Sequence, residues 1–302
     1  MIKLFVLMAI LLLSDAGAQS CAPRERALSA SNSSAAQPSP KGEKMNAELK
    51  VLAEGAHSPI ADALIVVARD AKTYQALRSL IGALPEMKEE DFASQAVVAA
   101  FLGQRMTGGY RVRIEARGST LKISEEAPPP DAMVTQVLTT PFKVVALRLE
   151  RNDALTIEAD PAWQQQMRLY RLESGELTVS GGLAGRSEKH QLTGDLRIMR
   201  HENFATIFFD VRSDQGRMLK SAASGLVSNG EKIEIGYLSS GSLVPPPCSG
   251  LRAVGNFADR EASLQLDFTP TFCDASDAFS GRGTIRATAL GPAPPKRGKE
   301  VL

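Results

Sequence analysis

The second half of the chain alternates short apolar segments with Gly, Ser, Asn and Asp turns, a pattern that excludes long helices and predicts β-strands. Between residues 160 and 290 nine such segments follow one another, beginning with MRLYRLE and ELTVSGGLAG. In two later segments apolar side chains occupy every second position, which places them on one face of a strand. These are Ile233, Ile235 and Tyr237, and Leu264, Leu266 and Phe268. The pattern predicts an all-β domain over residues 160–290.

Two architectures are compatible with this strand pattern. A β-sandwich and a lipocalin-like barrel both bury one face of each strand, and barrel closure also removes the exposed sheet edges. Strand alternation is the same in both, so the sequence does not separate them. We expect a filled interior, with a ligand cavity as the alternative.

Residues 47–150 are predicted to form a different fold, an α+β domain with a small antiparallel sheet and one helix. Residues 97–102 are a continuous apolar run of strand length. From Tyr110 onward apolar and charged residues alternate, and the segment Arg117-Gly118-Ser119-Thr120 leads into a second alternating stretch. Two alternating stretches joined by a short Gly-containing turn indicate a β-hairpin.

One helix is predicted over residues 70–83, where apolar side chains recur at helical spacing. Asp70 is a suitable N-cap, and Gly82 lies near the expected end. The stripe that contains Tyr74 and Leu77 is expected to pack on the sheet.

The turn Thr107-Gly108-Gly109-Tyr110 is the candidate binding site. Paired glycines allow positive φ without a Cβ clash, and Tyr110 is a large amphipathic anchor at the start of a strand. A purely structural turn accounts for these residues. The alternative is an exposed turn that contacts a partner, because loops on rigid sheets often carry recognition.

The first 20 residues have the features of a secretory signal peptide: Lys3 precedes an apolar run of about ten residues, too short to span a bilayer. Ala16-Gly17-Ala18 is a suitable cleavage site for a soluble product. Ala18-Gln19-Ser20-Cys21 instead resembles a bacterial lipobox with Cys21 as the lipidated residue. We favour lipidation, because the residues that follow have the composition of a tether.

Residues 21–46 are rich in Ser, Ala and Pro and lack apolar periodicity, so they predict a disordered linker. Residues 291–302 predict a flexible tail. A signal peptide followed by a linker places the protein in the bacterial cell envelope, either periplasmic or anchored to a membrane through lipidated Cys21.

Two further cysteines, Cys248 and Cys273, are an even pair in a chain predicted to be exported. Such a pair is more often a disulfide than a metal site or a catalytic thiol. Closing this loop stabilises a fold by about 3 to 4 kcal/mol on the chain-entropy estimate.

Neither the charge nor the motifs of the chain indicate nucleic-acid binding, catalysis or metal binding. The chain has 35 basic and 34 acidic residues, so it lacks the electrostatic footprint of a nucleic-acid-binding protein. The three histidines are His57, His190 and His201, and no HExxH, CxxC pair, GxSxG or Walker loop occurs. We therefore predict no catalytic residue, no metal site and no cofactor.

Four motifs follow one another between residues 91 and 147: Phe101-Leu102-Gly103, Thr107-Gly108-Gly109-Tyr110, a Pro-rich bend at 128–130, and Val134-x-Gln136-x-Leu138-Thr139-x-Pro141-Phe142-x-Val144-Val145. Together they resemble the C-terminal domain of the protease complex subunit PrcB family, and looser similarity extends the resemblance over residues 47–150. The resemblance implies a non-catalytic envelope domain that associates with a secreted protease, and it implies no catalytic residues.

Two functions are compatible with these observations. The first is an exported, membrane-tethered accessory protein that binds or stabilises an exported partner, which the resemblance implies is a secreted protease. The alternative is a small-ligand or glycan binder of the envelope that uses the β-barrel. The predictions include no nucleic-acid partner.

Overall fold

The structure is a computed structural model. It describes residues 49–150, 153–181, 186–229, 231–238, 249–258, 260–270 and 279–291. The predicted signal peptide and linker lie outside these residues, as do Cys21, Cys248, Cys273 and the predicted tail beyond residue 291.

The first part of the described chain forms an α+β body. Its elements are β1 (Leu49–Gly55), β2 (Leu64–Ala68), α1 (Ala71–Ile81), a 3-10 helix (Glu89–Ala93), β3 (Gln95–Phe101), β4 (Arg111–Arg117), β5 (Thr120–Glu126), β6 (Phe142–Arg148), β7 (Thr156–Ala159) and α2 (Pro161–Gln164).

A four-stranded antiparallel sheet in the order β1-β6-β3-β2 is the centre of this body, and it confirms the predicted small antiparallel sheet. All of β2 and nearly all of β3 are buried, which explains why both strands are continuous apolar runs in the sequence. β6 begins directly after Pro141, where the missing N–H of proline removes no hydrogen bond of the ladder.

The predicted hairpin is also present, as β4 and β5. Gly118 in its turn has φ +61°, a conformation that residues with a Cβ rarely adopt. β7 joins the open side of β5 in parallel, which makes a second, three-stranded sheet in the order β4-β5-β7.

Helix α1 has the predicted caps. The Asp70 carboxylate accepts a hydrogen bond from the Thr73 N–H at 2.8 Å, and Gly82 ends the helix with φ +69°. Tyr74 and Leu77 are fully buried against the sheet. Burial raises the pKa of the Asp70 carboxyl, because its charged form loses contact with water. None of the helices among the described residues is long and apolar enough to cross a membrane.

The remaining strands form a closed antiparallel barrel, which decides between the two predicted all-β architectures. They are β8 (Met167–Gly181), β9 (Arg186–Arg200), β10 (Phe204–Ser213), β11 (Met218–Ser228), β12 (Lys232–Leu238), β13 (Ser249–Phe257), β14 (Glu261–Pro270) and β15 (Phe279–Ala289). Each strand pairs with the next in sequence, and β15 pairs with β8 to close the barrel.

Two of the nine predicted segments meet in the single strand β8, which contains all of MRLYRLE and the first six residues, 176–181, of ELTVSGGLAG. The residues between them suggest a turn in the sequence, whereas the strand continues there through a bulge. Gly175 lies in this bulge, and a Cβ at that position would stand 2.7 Å from the Leu192 Cβ. The glycine therefore allows two barrel strands to approach closely rather than ending a strand.

Alternate residues of the barrel strands point inward and form one hydrophobic cluster. Tyr170 and Phe257 meet inside it edge to face, with ring centres 6.3 Å apart. An eight-stranded barrel is just wide enough for its side chains to fill. This packing supports a filled core over a ligand cavity in the described part of the barrel.

The outer face of the barrel is not free where it meets the α+β body. Four outward-facing barrel residues belong to the same buried cluster as the central sheet: Met199, Phe204, Phe208 and Ala222. Fully burying one large apolar side chain stabilises a fold by about 1.5 to 3 kcal/mol. The core of the body consequently extends onto the outer face of the barrel, and these four residues are the part of the core that the body and the barrel share.

Barrel side chains also cover the outer edge of β2. The Ile65 N–H donates to the Met199 sulfur at 3.1 Å, and the Val67 N–H donates to Ser224 Oγ at 2.7 Å. The Thr206 hydroxyl donates to the Ile65 carbonyl oxygen. An uncovered sheet edge would present these backbone groups to other chains.

Arg69 forms a second link across this junction, although it is almost completely buried. Its guanidinium donates to the carbonyl oxygens of Glu150 at 3.0 Å and Asp153 at 2.7 Å, and it lies 5.8 Å from the ring centre of Tyr237 on the barrel. A buried charge without such contacts would cost several kcal/mol.

Candidate protein-binding surface

Residues 104–110 and 128–139 lie side by side, and we call them the paired loops. Arg105 and Thr139 exchange two backbone hydrogen bonds, of 2.8 and 2.9 Å, and the Gly108 N–H donates to the Thr135 carbonyl oxygen at 2.9 Å. The Thr139 hydroxyl donates to the Thr107 carbonyl oxygen at 3.0 Å. These bonds hold two segments without regular secondary structure in one defined arrangement.

The two glycines of the predicted site have different roles. Gly109 has φ +89°, and a Cβ there would lie 2.9 Å from the Pro128 Cβ. Gly108 is buried outside the positive-φ region, and a Cβ there would lie 2.4 Å from Thr135 Oγ1. Only Gly109 therefore uses the conformational freedom of glycine, while Gly108 allows the second loop to approach.

Arg105 fixes the base of the paired loops. Its guanidinium forms a two-point ion pair with the Glu125 carboxylate, at 3.1 and 2.8 Å, and both side chains are about three-quarters buried. The same guanidinium lies 5.7 Å from the ring centre of Tyr110. Tyr110 is consequently a half-buried support for the loops.

The paired loops carry exposed apolar side chains. Of the six large apolar side chains that are exposed in the described part of the chain, four lie on these loops. Met106 is 75% exposed, Met133 is as exposed as in an extended peptide, and Val137 and Leu138 are about half exposed. A concentration of apolar surface on one pair of loops marks an interaction site more strongly than scattered residues do.

A cleft of about 500 Å³ adjoins the paired loops at Tyr110. Its walls include Glu54, Lys143 and Arg111, which carry charges of both signs. The Lys143 ammonium lies 2.8 Å from the Glu54 carboxylate and, together with Arg111, holds the pKa of that carboxyl below its ordinary value. The apolar loops are thus bordered by charged groups, as the rim of a protein interface often is.

The predicted site residues Thr107, Gly108, Gly109 and Tyr110 all lie in the first of the paired loops, where they hold the loops together. The exposed apolar residues are the feature that the sequence analysis missed. Met133, Val137 and Leu138 follow the prolines at 128–130 and lie outside any strand. Large apolar residues in a Pro-rich loop are the signal that could have indicated them.

The three histidines lie on different elements. His57 is exposed on the loop after β1, His190 is buried in β9, and His201 is half-buried at the turn between β9 and β10. Burial lowers the pKa of His201. Among the described residues no group of three His, Cys, Asp or Glu side chains could hold a metal ion.

The fold and the paired loops define a class of protein: an α+β body with an apolar loop surface, joined through a shared core to an eight-stranded barrel. Residues 96–148 match the PrcB C-terminal family model. The match runs from β3 to the end of β6 and includes both paired loops, so the predicted resemblance is confirmed over this range. Neither the curated proteins nor the solved structures give a match.

Proposed function

We propose that this chain is an exported, non-catalytic accessory protein that binds and stabilises a secreted protease through the paired loops. The observation that carries the proposal is the concentration of Met106, Met133, Val137 and Leu138 on two loops held in one arrangement. The similarity of residues 96–148 to the PrcB C-terminal family supports the choice of partner.

The chemistry of the surface suits a protein partner. Apolar and Met side chains are enriched in the buried centres of protein interfaces, where a few residues supply most of the affinity. Methionine is flexible, so it adapts to the shape of a partner surface. Met106 and Met133 would therefore act as adaptable contacts beside the stiffer Val137.

The arrangement of the loops also favours binding. Ordering a flexible loop on association costs free energy, and a loop that is already ordered avoids that cost. The Arg105 ion pair with Glu125 and the Gly108 hydrogen bond to Thr135 order the loops in the free protein. The barrel would contribute by supporting the body through their shared core.

Export and membrane attachment are part of the proposal, and the signal-peptide and linker features of the first 46 residues support both. Lipidated Cys21 would anchor the protein, and the linker would hold the body away from the membrane surface. A Cys21→Ser variant tests the anchor. We expect it to move from the membrane fraction to the soluble envelope fraction, and an unchanged distribution would contradict lipidation.

Affinity capture tests the function. The tagged full-length chain would be expressed in its native host, crosslinked mildly, captured from the envelope and analysed by mass spectrometry. We expect a stoichiometric exported protease. Capture of no exported protein, or an exported proteome that is unchanged when this chain is deleted, would contradict the proposal.

Matched variants locate the surface. Met133→Ser combined with Leu138→Ser replaces two exposed apolar side chains of the paired loops. Leu290→Ser is the control, because Leu290 is 40% exposed and lies at the end of the barrel sequence. We expect the double variant to lose most of the captured protease and the control to retain it. Equal capture by both variants would show that the paired loops are not the binding surface.

A further inference from the structure

The side chains of the described methionines range from fully exposed to completely buried. Only Met106 and Met133 are exposed in the part of the chain that the structure describes, and both lie on the paired loops. Met199 is completely buried, and its sulfur accepts a hydrogen bond from the Ile65 N–H. Met87 is also buried.

We propose that Met106 and Met133 form a peroxide-sensitive modification site that switches off the paired loops as a binding surface. A peroxide transfers one oxygen atom to the thioether sulfur, and its O–O bond breaks as an S–O bond forms. The sulfur loses two electrons, and hydrogen peroxide is reduced to water. The susceptibility of methionine follows its exposure, so these two residues react before the buried ones.

The sulfoxide changes the chemistry of the surface. It converts a flexible apolar side chain into a polar one with a strong hydrogen-bond acceptor. Two of the four exposed apolar side chains on the paired loops would become polar, while Val137 and Leu138 would stay apolar. A partner that buries this surface would have to remove water from both sulfoxide groups, which weakens binding.

The position of the two residues keeps the effect local. Neither side chain belongs to the buried core of the described residues, so its oxidation leaves the sheet and the barrel intact. Oxidation of Met199 would instead place a polar group in the core and remove the acceptor of the Ile65 N–H. The modification of the exposed pair is consequently a change of surface and not of fold.

Peptide mapping by mass spectrometry tests the modification directly. The mature full-length chain would be treated with increasing concentrations of hydrogen peroxide under native conditions and then digested. We expect sulfoxide at Met106 and Met133 at peroxide concentrations that leave Met199 and Met87 unmodified. Parallel oxidation of Met199, or resistance of the exposed pair, would overturn the proposal.

Hydrophobic-interaction chromatography tests the change of surface without a partner. The oxidised chain should elute earlier than the untreated chain, and enzymatic reduction of the sulfoxides should restore the original elution. A Met106→Leu and Met133→Leu variant keeps the apolar surface and lacks the reactive sulfurs, so its elution should not respond to peroxide. A response equal to that of the natural chain would show that oxidation of other residues causes the change in elution.

Capture of the protease tests the switch, and this step rests on the proposed function. After peroxide treatment the natural chain should lose most of the protease that it captures when untreated. Capture by the Met106→Leu and Met133→Leu variant, compared with the same variant untreated, should not change. Unchanged capture by the oxidised natural chain would overturn the switch. Failure of the untreated chain to capture a protease would overturn the proposed function and the switch with it, while the peptide map would still decide whether the pair is the modification site.

Discussion

The backbone N–H of Val67 donates to Ser224 Oγ at 2.7 Å, in a buried hydrogen bond between the edge of the central sheet and the outer face of the barrel. The same hydroxyl lies 2.7 Å from Thr206 Oγ1, and Thr206 in turn donates to the Ile65 carbonyl oxygen. In this short network, side chains rather than a further strand form the hydrogen bonds to the backbone groups at the edge of β2. The barrel therefore completes the sheet of the α+β body.

A Ser224→Ala variant should destabilise the protein by about 1 to 3 kcal/mol, because the buried Val67 N–H would lose its acceptor. Denaturant unfolding measures the change. Ser228→Ala is the control, since Ser228 lies on the same strand with an exposed side chain and its substitution should change stability by less than about 0.5 kcal/mol. Equal stabilities of the two variants would show that the network contributes nothing.

A Gly109→Ala variant should disrupt the paired loops. The new methyl group would stand 2.9 Å from the Pro128 Cβ while the backbone keeps φ +89°. Gly118→Ala is the matched control, because Gly118 also has positive φ but a Cβ there meets nothing within 4 Å. The control should lose about 1 kcal/mol through backbone strain alone.

The difference between these two variants isolates the contact with Pro128. Thermal unfolding and capture of the protease provide the two readouts. We expect Gly109→Ala to be the less stable of the two and to capture less protease. If Gly118→Ala impairs capture equally, strain in the hairpin rather than loop geometry determines binding.

His201 should make the protein less stable in mild acid. Burial lowers its folded-state pKa below the ordinary value of 6.5, so the unfolded chain takes up a proton first as the pH falls. Protonation of His201 therefore lowers the free energy of unfolding as the pH falls through 6.5. Well above pH 6.5 the histidine is neutral in both states and this loss of stability is absent. A His201→Gln variant should lose this part of the acid sensitivity.

Urea unfolding at about pH 7.5 and about pH 5.5 measures the effect. His57→Gln is the control, because the His57 side chain is exposed on a loop of the α+β body. We expect the natural chain and His57→Gln to lose similar stability between the two pH values, and His201→Gln to lose less. The same loss in all three would exclude His201 as the source.

We predict that Cys248 and Cys273 form a disulfide. They lie outside the described residues, but Ser249 and Pro270, which follow and precede them closely in sequence, are paired across β13 and β14. Digestion without reduction should release one crosslinked peptide that separates on reduction. Two free thiols in protein isolated from the envelope would contradict the prediction.

Local sequence patterns predicted the secondary structure well where one face of an element is buried. The alternation at Ile233 and Ile235 and at Leu264 and Leu266 marks strands whose apolar side chains point into the barrel. The caps of α1 followed from Asp70 and Gly82, because the chemistry of a helix end lies within a few residues. The segment around Gly175 was wrongly predicted to be a turn, since a bulge inside a strand and a turn between strands both favour glycine.

Only part of the candidate surface could be predicted from the sequence. Gly108 and Gly109 identified a turn, but their partners Thr135 and Pro128 lie about 20 to 30 positions later in the chain. Exposure depends on which neighbours cover a side chain. The sequence therefore could not show that Leu138 is half exposed while Leu102 is fully buried.

The sequence by itself determined one helix with its caps, a hairpin and most of the half-buried strands, because each depends on residues close together in the chain. Only the tertiary structure decided three further properties. They are closure of the barrel through β8 and β15, coverage of the β2 edge by Ser224 and Thr206, and assembly of the paired loops into an apolar surface. Each joins residues distant in sequence, and such contacts are specified by packing of the whole chain rather than by any local pattern.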